Sequence, residues 1–149
     1  MAAGTGVPPL VLRGGCHCGR VRFECQSEPE PLVLECDCSI CRMSGFLHLI
    51  VPAAWFTLLQ GAADLREYRF NTGTARHLFC AYCGIKSFYV PRSHPHGYDI
   101  NVRCLDAGTL PSYRLRAFRD AERDAETAAL AHLSTAPRRS ASYCAAPPC

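Results

Sequence analysis

The apolar residues of this chain fall into short runs separated by glycine, proline and polar turns, and several runs alternate with period two. Val21, Phe23 and Cys25 alternate with Arg20, Arg22 and Glu24, the pattern of a half-buried strand. Leu10 to Arg13 is a short apolar lead-in that stops at Gly14-Gly15. After the breaks at Pro29 and Pro31, Leu32 to Glu35 reads as a short strand. Phe46 to Val51 is strongly apolar and ends at Pro52, which predicts a buried strand. Phe56 to Leu59 and Leu65 to Phe70 flank Gly61, and Asn71-Thr72-Gly73 marks a turn. Arg76 to Phe79 and Ile85 to Val90 enclose a cysteine pair and predict a hairpin with a metal knuckle at its tip. Asp99 to Leu105 reads as one more strand. The pattern predicts a mainly β domain.

The pattern changes near Arg119. Asp120 to Leu133 is rich in alanine and charge and predicts a short C-terminal helix with Asp120 as its N-cap. Its apolar positions, Ala121, Ala125, Ala128, Ala129 and Leu133, make only a weak stripe. Thr135 to Cys149, rich in Ala, Ser and Pro, is expected to be disordered. The division expected is therefore a folded domain over residues 12–118, followed by a helix and divergent tail over 119–149.

Length and composition narrow the function classes. A chain of 149 residues with 48% hydrophobic and 19% charged residues is one globular domain. Neither a membrane-spanning apolar run nor a basic leader with a long apolar stretch is visible, so a reducing compartment is expected: the cytoplasm, with nuclear access second. The basic residues are scattered arginines with one lysine, Lys86, and no basic run of the kind that grips nucleic acid.

The chemistry lies in seven cysteines arranged in three clusters: Cys16 and Cys18, then Cys36, Cys38 and Cys41, then Cys80 and Cys83. Partners two or three residues apart strain a disulfide but can turn both sulfurs onto one tetrahedral ion. Two zinc ions sharing seven thiolates would leave one with four ligands and the other with three. A four-ligand site is closed and structural; a three-ligand site keeps a position for water or substrate. With both ions bound, the formal charge of +3 falls to zero.

Taken together, several blocks resemble the glutathione-dependent formaldehyde-activating enzyme family and, within it, the centromere protein V branch. They are Gly14-Gly-Cys-His-Cys-Gly19, Val21-Arg-Phe23, Cys36-Asp-Cys-Ser-Ile-Cys-Arg42, His48 to Pro52, Tyr68-Arg-Phe-Asn-Thr72, Phe79-Cys-Ala-Tyr-Cys-Gly84, Ser87-Phe-Tyr-Val-Pro-Arg-Ser93 and Cys104-Leu-Asp106. The resemblance implies a zinc-stabilised β-tent fold and carbon–sulfur lyase chemistry on the adduct of glutathione and formaldehyde. By position it implies that Cys16, Cys18, Cys80 and Cys83 form the structural zinc site and Cys36, Cys38 and Cys41 the open one. Past Phe118 the chain departs from the branch, which continues with a tryptophan-bearing segment; here the only tryptophan is Trp55.

On this reading His48 and His77 are the candidate proton movers, and Arg42, with Arg92, is a candidate for the carboxylates of glutathione. His17, inside the first knuckle, is expected to face solvent or to support a neighbouring cysteine ligand. A second structural zinc is the competing reading of the three-cysteine cluster, with Cys104, Cys25, His48 or His77 as fourth ligand. At the level of function the competitor is a non-catalytic, zinc-stabilised interaction module of the centromere protein V type, binding chromatin or microtubules.

Overall fold

The computed structural model describes residues 7–135. Ten strands form three sheets. β1 (Leu10–Gly15), β2 (Arg22–Ser27) and β5 (Phe56–Gln60) form an antiparallel sheet in the order β1-β2-β5. The central sheet contains β3 (Leu32–Cys36), β4 (Leu47–Pro52), β8 (Phe88–Tyr89), β9 (Gly97–Asn101) and β10 (Arg114–Phe118), ordered β10-β3-β4-β9-β8. β6 (Leu65–Tyr68) and β7 (His77–Cys80) pair as a separate two-stranded ribbon. Two helices complete the described chain, α1 (Ser39–Ser44) and α2 (Arg123–Leu130). None is long and apolar enough to cross a membrane.

The burial of each strand follows its pattern. In β2 the alternating Phe23 and Cys25 are buried, whereas every residue of β4 is buried. β4 is apolar at both parities because both of its faces are covered. Leu49 and Val51 enter a core with Leu12, Val21, Phe23, Phe88 and Ile100. Ile50, of the opposite parity, enters a second cluster with Leu34, Phe118 and Leu130. On that second face the register aligns Leu34 with His48, Ile50 with Asp99, and Asp99 with Tyr89. These side chains share one face of the sheet because positions two apart do.

Several expectations need correction. Arg76–Phe79 and Ile85–Val90 do not form a continuous hairpin: β7 pairs with β6 and β8 with β9, leaving one bridge between Arg76 and Val90. The Cys80 N–H to Ile85 carbonyl bond closes the knuckle, after which the two arms join different sheets. The strand expected over Asp99–Leu105 stops at Asn101, whose side chain accepts from the Arg103 N–H and starts a 3-10 turn over Val102–Cys104. The C-terminal helix is shorter than 120–133, with 3-10 turns at Asp120–Glu122 and Ala131–Ser134 on either side of α2. Asp120 does not cap it; its carboxylate holds Arg123 instead. Leu130, outside the expected stripe, is the buried anchor, while Ala121, Ala125, Ala128 and Ala129 are exposed.

α1 and β10 were not visible in the pattern. β10 is an edge strand exposed along four of its five residues, so it carries no alternation; it is placed by parallel pairing with β3. The tail expected to be disordered lies, beyond Thr135, outside the described residues.

Candidate metal and substrate site

Two knuckles from distant parts of the chain meet in the first cysteine cluster. In each, a tight turn sends a backbone N–H back to the first cysteine: Gly19 N–H to Cys16 O at 3.2 Å and Gly84 N–H to Cys80 O at 2.8 Å. Gly19 and Gly84 hold φ values of 81° and 73°, a left-handed conformation that side chains resist. The Sγ atoms of Cys16, Cys18, Cys80 and Cys83 lie within 4.8 Å of one another. Cys16 Sγ is 3.5 Å from Cys18 Sγ, which is 3.7 Å from Cys80 Sγ. A tetrahedral ion with zinc–sulfur bonds of about 2.3 Å sets its ligands about 3.8 Å apart. The set therefore fits zinc. The Val21 N–H donates to Cys16 Sγ at 3.3 Å, a bond that favours the thiolate.

The second cluster is local. Cys36 ends β3, Cys38 is the N-cap position of α1, and Cys41 lies one turn into that helix. Residues three apart share a helix face, so Cys38 and Cys41 point the same way, toward Cys36. The turn closes with Arg42 N–H on Cys38 O at 3.0 Å, and Gly45 ends the helix in a left-handed conformation. The three sulfurs lie within 4.8 Å of one another, and no fourth His, Cys, Asp or Glu ligand joins them among the described residues. Their charges are coupled. Hydrogen bonds from Cys36 and Cys41 hold the Cys38 thiol far below its ordinary range, with the Arg123 guanidinium adding to the effect. The contact with Cys38 pushes Cys36 up to about 11, and the contacts with Cys36 and Cys38 push Cys41 higher still. One thiolate forms readily and the next two resist, a set that a dication would neutralise. This donor set also fits zinc, with three protein ligands.

A cavity of about 300 Å³ opens over these three cysteines. Its wall is the second face of the central sheet, with Leu34, His48, Ile50, Tyr89 and Asp99. His48 is buried, and its Nδ1 meets Asp99 Oδ2 at 2.8 Å. A carboxylate can only accept, so Nδ1 carries the proton, and in the neutral ring Nε2 keeps a lone pair. His48 Nε2 is buried with no hydrogen-bond partner, as is Asp99 Oδ1. A buried ring nitrogen without a partner, on a residue that lines a cavity, is unusual enough to point to a ligand.

His77 also lines the cavity, stacked on Phe70 at 5.3 Å and on Tyr89 at 4.9 Å between ring centroids. Lys86 Nζ is 3.1 Å from His77 Nδ1. Burial, reinforced by the Lys86 charge, lowers the pKa of His77 to about 4. Burial also lowers that of Lys86 and raises that of Tyr89 well above the usual phenol range. At the rim stand Arg92, Ser93, Asn71, Thr72, Asp120 and Arg123. Arg123 Nε donates to Asp120 Oδ1 at 2.7 Å, and its guanidinium sits 5.8 Å from the Phe118 ring centroid.

The structure brings most of the expected residues together. All seven cysteines fall into the two expected sets, and His48, His77 and Arg92 line one cavity with Cys36, Cys38 and Cys41. Arg42 is exposed on α1 and does not line it. His17 is exposed. Cys25 is buried in the first core with its thiol pushed up to about 12, and Cys104 Sγ points to the Lys86 carbonyl at 3.9 Å; neither joins the three-cysteine cluster. His77 meets Lys86 rather than a cysteine.

Sequence reasoning missed Asp99, Lys86, Tyr89 and Arg123. A lone acid in an apolar strand and a single lysine among arginines were the available signals.

The model of the family described as "Glutathione-dependent formaldehyde-activating enzyme" matches residues 11–119. A crystal structure of a Rhodobacter sphaeroides protein, a structural-genomics target, is similar with a TM-score of 0.58 and 33% identity, covering 70% of this chain and 99% of that one. A family model over most of the chain, together with two thiol clusters that can hold zinc, places the chain in the glutathione-dependent formaldehyde-activating enzyme family.

Proposed function

We propose that this protein is a zinc-dependent carbon–sulfur lyase that forms and cleaves S-(hydroxymethyl)glutathione in the cavity over Cys36, Cys38 and Cys41. The observation that carries the reading is the three-thiol cluster without a fourth protein ligand among the described residues, set in a cavity that also presents a free His48 Nε2. The functional unit is residues 12–118, with Arg123 reaching its rim from α2. Cys16, Cys18, Cys80 and Cys83 hold a second, closed zinc that stabilises the fold. A reducing compartment, the cytoplasm, suits both sets of thiolates.

A zinc ion held by Cys36, Cys38 and Cys41 would supply a coordination position where a substrate thiol is stabilised as thiolate near neutral pH. His48 accepts the thiol proton at Nε2, while Asp99 holds Nδ1–H and stabilises the imidazolium that results. The thiolate sulfur then attacks the carbonyl carbon of formaldehyde. A C–S bond forms, the C=O π pair moves to oxygen, and the proton held by His48 passes to that oxygen. Reversal of the same steps cleaves the adduct. Arg92 and Arg123 at the rim are placed to meet the carboxylates of glutathione.

The test is exchange between formaldehyde and its glutathione adduct, followed by NMR against the uncatalysed rate and paired with zinc counts from native mass spectrometry. Two zincs per chain and accelerated exchange, lost in Cys38→Ser with the fold kept, support the reading. One tightly held zinc, or two zincs with no acceleration, overturns it. Salt-sensitive binding to DNA or microtubules without exchange would favour the interaction module of the centromere protein V type.

A further inference from the structure

We propose that Lys86 is a positioning residue that locks His77 as the Nε2–H tautomer, so that the two histidines of the cavity form a donor–acceptor pair, His77 donating to the substrate oxygen and His48 accepting the thiol proton. This deepens the lyase reading and rests on it for the identity of the oxygen. The lock itself does not depend on it.

The geometry leaves His77 little freedom. Phe70 and Tyr89 both stack on the ring, at interplanar angles of 27° and 11°. The Nδ1 edge is occupied by Lys86 Nζ at 3.1 Å. The remaining edge, with Nε2, is the part of the ring that can line the cavity, and Nε2 makes no hydrogen bond among the described residues. An ammonium has donors and no acceptor, so with Lys86 charged the Nδ1 opposite it offers its lone pair. The neutral ring then carries its proton on Nε2. With the pKa near 4, His77 stays neutral at pH 7 and donates without carrying charge.

Lys86 is half-buried and has no carboxylate partner among the described residues. It faces His77 Nδ1 and the rings of Phe46 and Tyr89, at 5.1 and 4.8 Å. Cys38, Cys41 and Asp99 add negative charge nearby. His48 is set the opposite way, since Asp99 takes its Nδ1–H and leaves Nε2 as acceptor. Both histidine rings flank Tyr89, His48 at 6.0 Å and His77 at 4.9 Å between centroids. The pair thus presents a hydrogen-bond donor for a developing alkoxide and an acceptor for a thiol proton within one cavity.

The experiment uses the full zinc-loaded chain labelled with 15N in its histidines. At pH 7 the His77 resonances, assigned by comparison with His77→Gln, should show protonated Nε2 and bare Nδ1. Lys86→Met, which keeps an apolar stem between Phe46 and Tyr89, should mix the tautomers and raise the His77 pKa; Lys86→Arg, which keeps a donor, should restore the wild-type pattern. Exchange should fall about 10²–10³-fold in His77→Phe, which keeps the aromatic stack, and less in His77→Gln, which keeps a donor. A protonated Nδ1 or a charged ring at pH 7, or an unchanged tautomer in Lys86→Met, overturns the lock. Equal rates in the Phe and Gln variants overturn the donor role. The expected tautomer in a chain that accelerates nothing overturns the lyase reading and the donor role, with the lock confirmed.

Discussion

The two cysteine clusters use the same ligand atom for opposite ends. The four-thiol set joins knuckles more than sixty positions apart and draws all its ligands from the chain. Around it are backbone turns and the exposed residues His17 and Tyr82. The three-thiol set spans six residues at the junction of β3 and α1, and opens on a cavity walled by His48, His77, Asp99 and Arg123. A closed set ties the chain together and leaves no position for chemistry; an open set beside proton acceptors and donors can do chemistry but ties little. The number of thiols is thus less telling than what surrounds them.

The sharpest way to break this comparison is to remove one ligand from each set. Cys80→Ser should abolish the cooperative fold. A zinc held by these four thiols would contribute on the order of 10 kcal/mol of binding energy, about the whole stability of a domain this size. Far-UV circular dichroism with zinc counting checks it. Cys38→Ser should keep the fold and lose one zinc. Equal unfolding by both variants would erase the distinction between the sets.

A smaller effect sharpens the open side. His48→Ala should slow exchange by about 10²–10⁴-fold while both zincs remain, because it removes a proton acceptor and no ligand. The rate measured at fixed zinc content decides it.

The acid side of the stability curve comes next. His77 titrates at about 4 in the fold against 6.5 unperturbed, so the unfolded chain binds more protons between these values. Stability is then fully present above pH 6.5 and falls as the pH drops toward 4, by a few kcal/mol at most. Denaturant titrations across this window should show the loss in the wild type and a shallower one in His77→Phe.

The smallest effect is expected away from both clusters. Arg22 holds Asp106 through paired hydrogen bonds on a part-exposed surface, and Asp106→Asn should cost about 0.2–1 kcal/mol without changing exchange.

Much of the fold was legible along the chain because it is written in period two. The alternation of β2, the unbroken apolar run of β4 and the glycine after each knuckle each reflect a local rule. β10 was invisible because an exposed edge strand has no buried face to mark it, and only its parallel pairing with β3 defines it. α1 was missed because its six residues, fewer than two turns, are too short to show a period. The helix after Arg119 was overextended because alanine favours helix wherever it stands, whereas Leu130 alone anchors this one to the core.

The cysteines by themselves determined which thiols can hold metal and how many gather in each cluster, because ligand type and spacing are local properties. The polarity of the site was decided only by the tertiary structure. His48 becomes an acceptor because Asp99, fifty-one residues away, crosses from β9, and His77 faces Lys86 because β7 and β8 part into different sheets. A histidine's tautomer depends on which group meets its other nitrogen, and that partner is chosen by sheet register rather than by sequence neighbourhood.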